Sequence, residues 1–210
     1  MTIKAVIFDM DGVLIDARDW HYEALNRALR LFGMEISRYD HLTTFDGLPT
    51  KRKLQMLTAA RGLPAQLHDF VNDMKQLYTM EIVAAECKPT FNQQYALSRL
   101  KAENYRLAVC SNSIRRSVEV MMERSELMPY LDFLISNQDV VRSKPDPEMY
   151  ALAISRMGLT PQEALVVEDN ENGVAAARAA GAHVLEVSGV EDVTYQAIKA
   201  RIAAVEGSAY

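Results

Sequence analysis

Five short apolar runs recur along the chain: AVIF at 5, RLAVC at 106, DFLIS at 132, ALVV at 164 and HVLEV at 183. Each is followed by a polar turn and then by a helical pattern. The apolarity within a run is continuous, without the alternation of a half-solvated strand. Strands buried on both faces read this way, so the pattern predicts a parallel sheet covered by helices.

The gap between the first and second runs is too long for one crossover, and its residues follow helical spacing. HYEALNRALRLFGM, TKRKLQMLTAARG and LHDFVNDMKQLYTMEIVAAE place apolar positions three and four apart, with Gly33 and Gly62 near the expected helix ends. The predicted fold is therefore α/β: a doubly wound, Rossmann-like core from residues 1–16 and 89–210, with an inserted α-helical cap at 17–88 carried on the loop after the first strand. Lys88 and Pro89 mark the return to the core. Open parallel sheets bind ligands at the carboxyl edge, so an insert on that edge is expected to serve as a lid. GVAAARAAGAHV reads as a small-residue helix ending at Gly181 and packing on the sheet, with no chemical role.

Composition narrows the partners. The 210 residues carry 23 Lys and Arg against 28 Asp and Glu, a formal charge of -5. That field repels nucleic acid and anionic lipid, and an anionic substrate then needs a local cluster of positive charge. Cys87 and Cys110 show no C-x-x-C spacing, which fits two unpaired thiols in a reducing, cytoplasmic compartment. Asp9 and Asp11 interrupt the first apolar run too early for a signal peptide, and no window nears the roughly 18 apolar residues of a membrane span. No heptad seam demands more than a monomer.

The chemistry stands just after the strands. The first run ends in Asp9-Met10-Asp11-Gly12, the second in Ser111-Asn112-Ser113, and the fourth in Glu168-Asp169-Asn170. Ends of parallel strands converge, so up to four carboxylates share one crevice, where their mutual repulsion calls for a cation. An all-oxygen ligand set favours magnesium. Any one of these residues could simply open a turn; the set is harder to explain that way. Lys144, just before a helix start signalled by Pro145 and Pro147, reads alone either as a solvated lysine or as a charge-balancing one.

FDMDGVLID, VCSNS, SKPDPEMY and VVEDNENGVAAARAAGA, in this order, resemble the four signature segments of the haloacid dehalogenase-like superfamily. The likeness is to its phosphatases and phosphomutases with a helical cap, beta-phosphoglucomutases among them. The resemblance implies magnesium dependence and aspartyl-phosphate chemistry. Asp9 matches the nucleophile, and Asp11 the general acid and base, which meets the metal through its backbone carbonyl. Asp169 matches a direct metal ligand, and Glu168 one that either ligates or orients a bound water. Ser111 matches the donor to phosphoryl oxygens, Lys144 the group balancing their charge, and Gly12 a point of close approach to phosphate.

Substrate contacts are expected from Gly12, Asn112 and Arg115 of the core and from His21, Arg52 and Lys75 of the cap, although the Lys51-Arg52-Lys53 run reads equally as a solvated helix face. After Ser111 the chain has Asn-Ser-Ile-Arg where the mutases show Ser-x-Ser-Lys-Asn, and Ile114 cannot donate to a second phosphate. The expected function is a magnesium-dependent phosphatase of a small phosphorylated metabolite such as a sugar phosphate, with a phosphomutase as the alternative. A non-catalytic binding protein of the same fold should have lost Asp9, Asp11 or Asp169, and none is lost.

Overall fold

The computed structural model describes residues 2–45 and 47–207. In chain order the elements are β1 (Ala5–Phe8), α1 (Arg18–Arg30), α2 (Arg38–Asp40), α3 (Thr50–Arg61), α4 (His68–Glu86), α5 (Phe91–Ala102), β2 (Arg106–Cys110), α6 (Arg115–Arg124), β3 (Phe133–Ile135), α7 (Glu148–Arg156), β4 (Ala164–Glu168), α8 (Glu171–Ala179), β5 (His183–Glu186) and α9 (Tyr195–Glu206). Each of the five apolar runs forms a strand. They make one parallel sheet in the order β3-β2-β1-β4-β5. β1 is central, its four residues buried, with Phe8 level with Val109 on one side and Val167 on the other.

This register decides where the chemistry falls. β1, β2 and β4 run in step, so Asp9, Ser111 and Asp169 leave the sheet at the same edge. Asp9 N–H still reaches Val167 O at 3.0 Å, and Ser111 N–H reaches Ile135 O at 3.0 Å. One sheet face is packed by α7 and α8: Ile7, Ala108, Cys110 and Val166 meet Met149, Tyr150, Ala153, Ala176 and Ala177. Alanines on α8 bring that helix close to the strands. Each large apolar side chain removed from water in this layer contributes about 1.5–3 kcal/mol before the entropy of ordering is counted.

The described residues divide into two compact units, one running through Asp16 and resuming at Lys88, the other spanning Ala17–Cys87. The second unit is helical and has its own core of Leu25, Leu29, Ile36, Leu54, Leu57, Leu63 and Val71. Its buried Asn26 is fully engaged, donating to Ile36 O at 3.0 Å and accepting from Ile36 N–H at 2.9 Å. The helical spacing read from the sequence runs on to Met34, but α1 stops at Arg30 and leaves Leu31 exposed. The stretch that follows, read as no element, forms the single turn α2 and a π-helical turn at His41–Phe45. Gly62 closes α3 at φ 72°, a left-handed conformation strained for other residues. Among the described residues no helix is long and apolar enough to cross a membrane.

Candidate active site

Lys144 is the centre of charge at the carboxyl edge. Its Nζ donates to Asp9 Oδ1 at 2.6 Å, Glu168 Oε1 at 2.6 Å and the Cys110 carbonyl at 2.8 Å. Three acceptors saturate the three N–H bonds of an ammonium, which is how so buried a lysine keeps its charge. Burial works against that charge, but Asp9 and then Glu168 outweigh it and hold the ammonium above the ordinary lysine range. The backbone that delivers Lys144 is clamped by Asn112, whose Oδ1 accepts from Lys144 N–H at 3.1 Å and whose Nδ2 donates to Lys144 O at 3.3 Å. Asn112, expected to bind substrate, is thus engaged in placing the lysine.

One cation does not balance the carboxylates around it. Burial first, then the charge of Glu168, pushes the Asp9 carboxyl well above its ordinary range; Lys144 opposes this, while Asp11 and Asp169 add to it. Asp9, Glu168 and Asp169 each offer an oxygen, and these atoms lie within 4.8 Å of one another. Two glycines leave them their room. A Cβ on Gly12 would fall 2.0 Å from Asp169 Oδ2, and one on Gly173 would fall 1.8 Å from Glu168 Oε1. Gly12 also sits at φ 91°, in the loop where Gly12 N–H meets Ile15 O at 2.7 Å. An all-oxygen, carboxylate-rich set short of positive charge fits a hard divalent cation such as magnesium.

Asp11 stands apart from this trio. Its Oδ2 accepts from Ser113 Oγ at 3.0 Å, and Ser113 N–H in turn donates to Ser111 Oγ at 3.0 Å. The loop after β2 therefore joins the buried Ser111 to the carboxylate of Asp11. Arg115, at the start of α6, pairs its guanidinium with Asp139, which also accepts from Ser136 N–H and Oγ at 2.8 and 2.7 Å. In the helical unit Lys75 Nζ is 3.2 Å from His21 Nδ1, so those two residues meet, whereas Arg52 is an exposed residue of α3.

Tyr150 and Asp139 were not singled out in the sequence, and Ser113 stood in the second motif without a role. Tyr150 donates its hydroxyl to Glu168 Oε1 at 2.5 Å, and Lys144 Nζ lies 4.7 Å from the centre of its ring. Its position in the first turn of the helix after SKPDP was an available signal, but a buried aromatic on an apolar helix face reads first as core.

A family model described as haloacid dehalogenase-like hydrolase matches residues 6–187. The chain belongs to that family. It is 31% identical over 182 residues to a protein of Thermotoga maritima named phosphorylated carbohydrates phosphatase, covering 85% of this chain and 82% of the relative. It is 27% identical to the pyrophosphatase PpaX of Bacillus velezensis, over 85% of this chain and 80% of that one. Among solved structures, the beta-phosphoglucomutase of Clostridium difficile superposes with a TM-score of 0.85 at 18% identity, covering 98% of this chain and all of that one. CbbY of Rhodobacter sphaeroides, crystallised with phosphate, gives 0.81 at 21% identity, covering 90% and 87%. At these identities the two structures establish the fold: a haloacid dehalogenase-like sheet with a helical insert.

Proposed function

We propose that this hydrolase is a magnesium-dependent phosphatase of small phosphorylated metabolites, sugar phosphates foremost, acting through an aspartyl-phosphate on Asp9. The observation that carries the reading is the Lys144 bridge. It brings the nucleophile candidate and a carboxylate of the metal trio to 2.6 Å from one ammonium, beside Asp169. The relative named for phosphorylated carbohydrates supports the substrate class.

Asp9 would attack phosphorus in line with the ester oxygen, forming its own bond to phosphorus as the bond to the leaving oxygen breaks. Asp11 gives that oxygen a proton and takes one back from the water that cleaves the aspartyl-phosphate, which returns Asp9 and releases inorganic phosphate. The hydrogen bond from Ser113 to the Asp11 carboxylate supports a role for it apart from the metal trio. Ser111 and the neighbouring amides donate to the phosphoryl oxygens, and Lys144 offsets their charge. Asp9, Asp169 and the Asp11 carbonyl would hold magnesium, with Glu168 binding it directly or through water; the ion when bound neutralises charge on the transferring group.

Hydrolysis is favoured over mutase chemistry by the start of α6. A mutase must grip a second phosphate; Ile114 there has no polar side chain, and Arg115 is committed to Asp139. The test is release of phosphate from an aryl phosphate ester and from a panel of phosphosugars, with and without a chelator. Chelation and Asp9→Asn are each expected to abolish release, and the wild type should carry trapped phosphate on Asp9. Persistent turnover by Asp9→Asn would overturn the nucleophile. Rapid interconversion of hexose 1- and 6-phosphates with a bisphosphate activator, and little free phosphate, would overturn hydrolysis.

A further inference from the structure

Glu168 is held more tightly than its part in a metal site requires of a side chain alone. Oε1 accepts two short hydrogen bonds, from Lys144 Nζ at 2.6 Å and from Tyr150 Oη at 2.5 Å. Oε2 is approached by the Asn170 amide at 3.5 Å, the very limit of a hydrogen bond. The carboxylate lies against α8, where a Cβ on Gly173 would fall 1.8, 2.0 and 2.3 Å from its Oε1, Cδ and Oε2. One oxygen is therefore tied into the protein, and the other keeps lone pairs to offer.

Lys144 cannot do this by itself. It divides its three protons among Asp9, Glu168 and Cys110 O, so it gives Glu168 a single hydrogen bond from a single direction. Tyr150 supplies the second direction. It projects from α7, a different element from the Lys144 loop, and is fully buried against Ile7, Cys110 and Val166. A rigid aromatic in a packed layer delivers its hydroxyl to one place. Its ring also lies 4.7 Å from Lys144 Nζ, so one side chain touches both members of the Lys144–Glu168 pair.

We infer that Tyr150 is a positioning residue for the metal site: its hydroxyl sets the rotation of the Glu168 carboxylate so that Oε2, not Oε1, faces the cation or a water bound to it. This rests on the magnesium reading above. Outer hydrogen bonds of this kind typically change metal affinity by about 10–100-fold when removed. Tyr150→Phe should therefore weaken Mg2+ binding about 10-fold, measured by calorimetric titration without substrate, and raise the Mg2+ concentration for half-maximal phosphate release in step. KM for the phosphate ester at saturating Mg2+ should stay within twofold.

Three comparisons separate this role from general support of the core. Met149→Leu, a buried neighbour on α7 outside the machinery, should leave the Mg2+ affinity within twofold; an equal loss there overturns the inference, because packing of the helix would then account for it. In a Glu168→Gln background, Tyr150→Phe should have no further effect on Mg2+ affinity; an undiminished tenfold loss overturns it too. The wild type provides a test that needs no variant. Binding of Mg2+ should move the absorbance of a buried tyrosine to shorter wavelength, since the carboxylate that accepts its proton becomes a weaker acceptor, and absence of that difference spectrum counts against the role. Wild type that binds no Mg2+ at millimolar concentration overturns the magnesium reading and this inference together; Mg2+ bound equally by wild type and Tyr150→Phe overturns this inference alone.

Discussion

Gly173 lies against Glu168 so closely that a single methyl group would fall 1.8 Å from the carboxylate oxygen already bonded to Lys144 and Tyr150. In an ordinary helix interior, glycine to alanine is worth about 0.5–1 kcal/mol in favour of alanine. Here the neighbour cannot swing aside without breaking two short hydrogen bonds, so the sign reverses. Gly173→Ala is expected to melt below the wild type and to lose at least about 10-fold in Mg2+-dependent phosphate release. A more stable and fully active variant would show that Glu168 has room to move.

Lys144 balances two buried carboxylates. Removing one partner of a buried ion pair typically costs about 3–5 kcal/mol, because the remaining charge is left without compensation. Lys144→Met should therefore be destabilised by that order in urea denaturation without metal. Adding Mg2+ should restore part of the loss, and activity should fall by several orders of magnitude. A melting curve unchanged in metal-free buffer would mean that Asp9 and Glu168 do not depend on the lysine.

Thiol chemistry should be silent in the folded state. Burial pushes the Cys110 thiol up to about 12, with Lys144 opposing and Asp9 adding to the shift. At pH 8 a thiol of that pKa is ionised to only about 10⁻⁴, and the thiolate is the reactive form. Cys87 is also buried. Alkylation followed by intact mass should show no adduct in native buffer at pH 8 and two in denaturant. Rapid native labelling of Cys110 would place it at an accessible surface.

The acid limb of stability should carry a signature of Glu163. Lys4 bonds its carboxylate at 2.6 Å, and Thr160 donates through N–H and Oγ1 at 2.8 and 3.0 Å, which together hold it down at about 2 against about 4.5 for a free glutamate. A depressed folded pKa stabilises above the unfolded value, and that contribution fades as pH falls through the folded one. The melting temperature of Glu163→Gln should lie below the wild type at pH 7, and the gap should close between about pH 4.5 and pH 2. Solvent screening of this pair, with Lys4 exposed and Glu163 half-buried, keeps the effect small. A gap that is constant with pH would mean that the charge on Glu163 does not stabilise the fold.

The strands and the acidic motifs were readable for the same reason. β1 and β4 are buried throughout and β2 after its first residue, so these inner strands read as near-continuous apolar runs, whereas β5 at the sheet edge buries Val184 and exposes Glu186; the residues that break the inner runs mark where each leaves the sheet. Asp9, Ser111, Glu168 and Asp169 are visible because they stand at those exits. What was not legible depends on partners far away in the chain. Asn112 reads as a substrate contact, and its two bonds to the Lys144 backbone, 32 residues on, are not visible locally. The ion pair of Arg115 with Asp139, 24 residues on, leaves no mark in the local pattern. Tyr150 reads as core because its ring is core; only the hydroxyl departs from that role.

The order of residues alone therefore determined the class of fold, the edge where the chemistry stands and the excess of carboxylates there, because period, apolarity and charge are properties of short segments. The tertiary structure decided which oxygen of Glu168 is tied, which lysine protons are spent and which polar side chains bond to one another across the site. Those choices are made over distances of about 3 Å between elements remote in sequence, where hydrogen-bond geometry discriminates and local pattern carries no information.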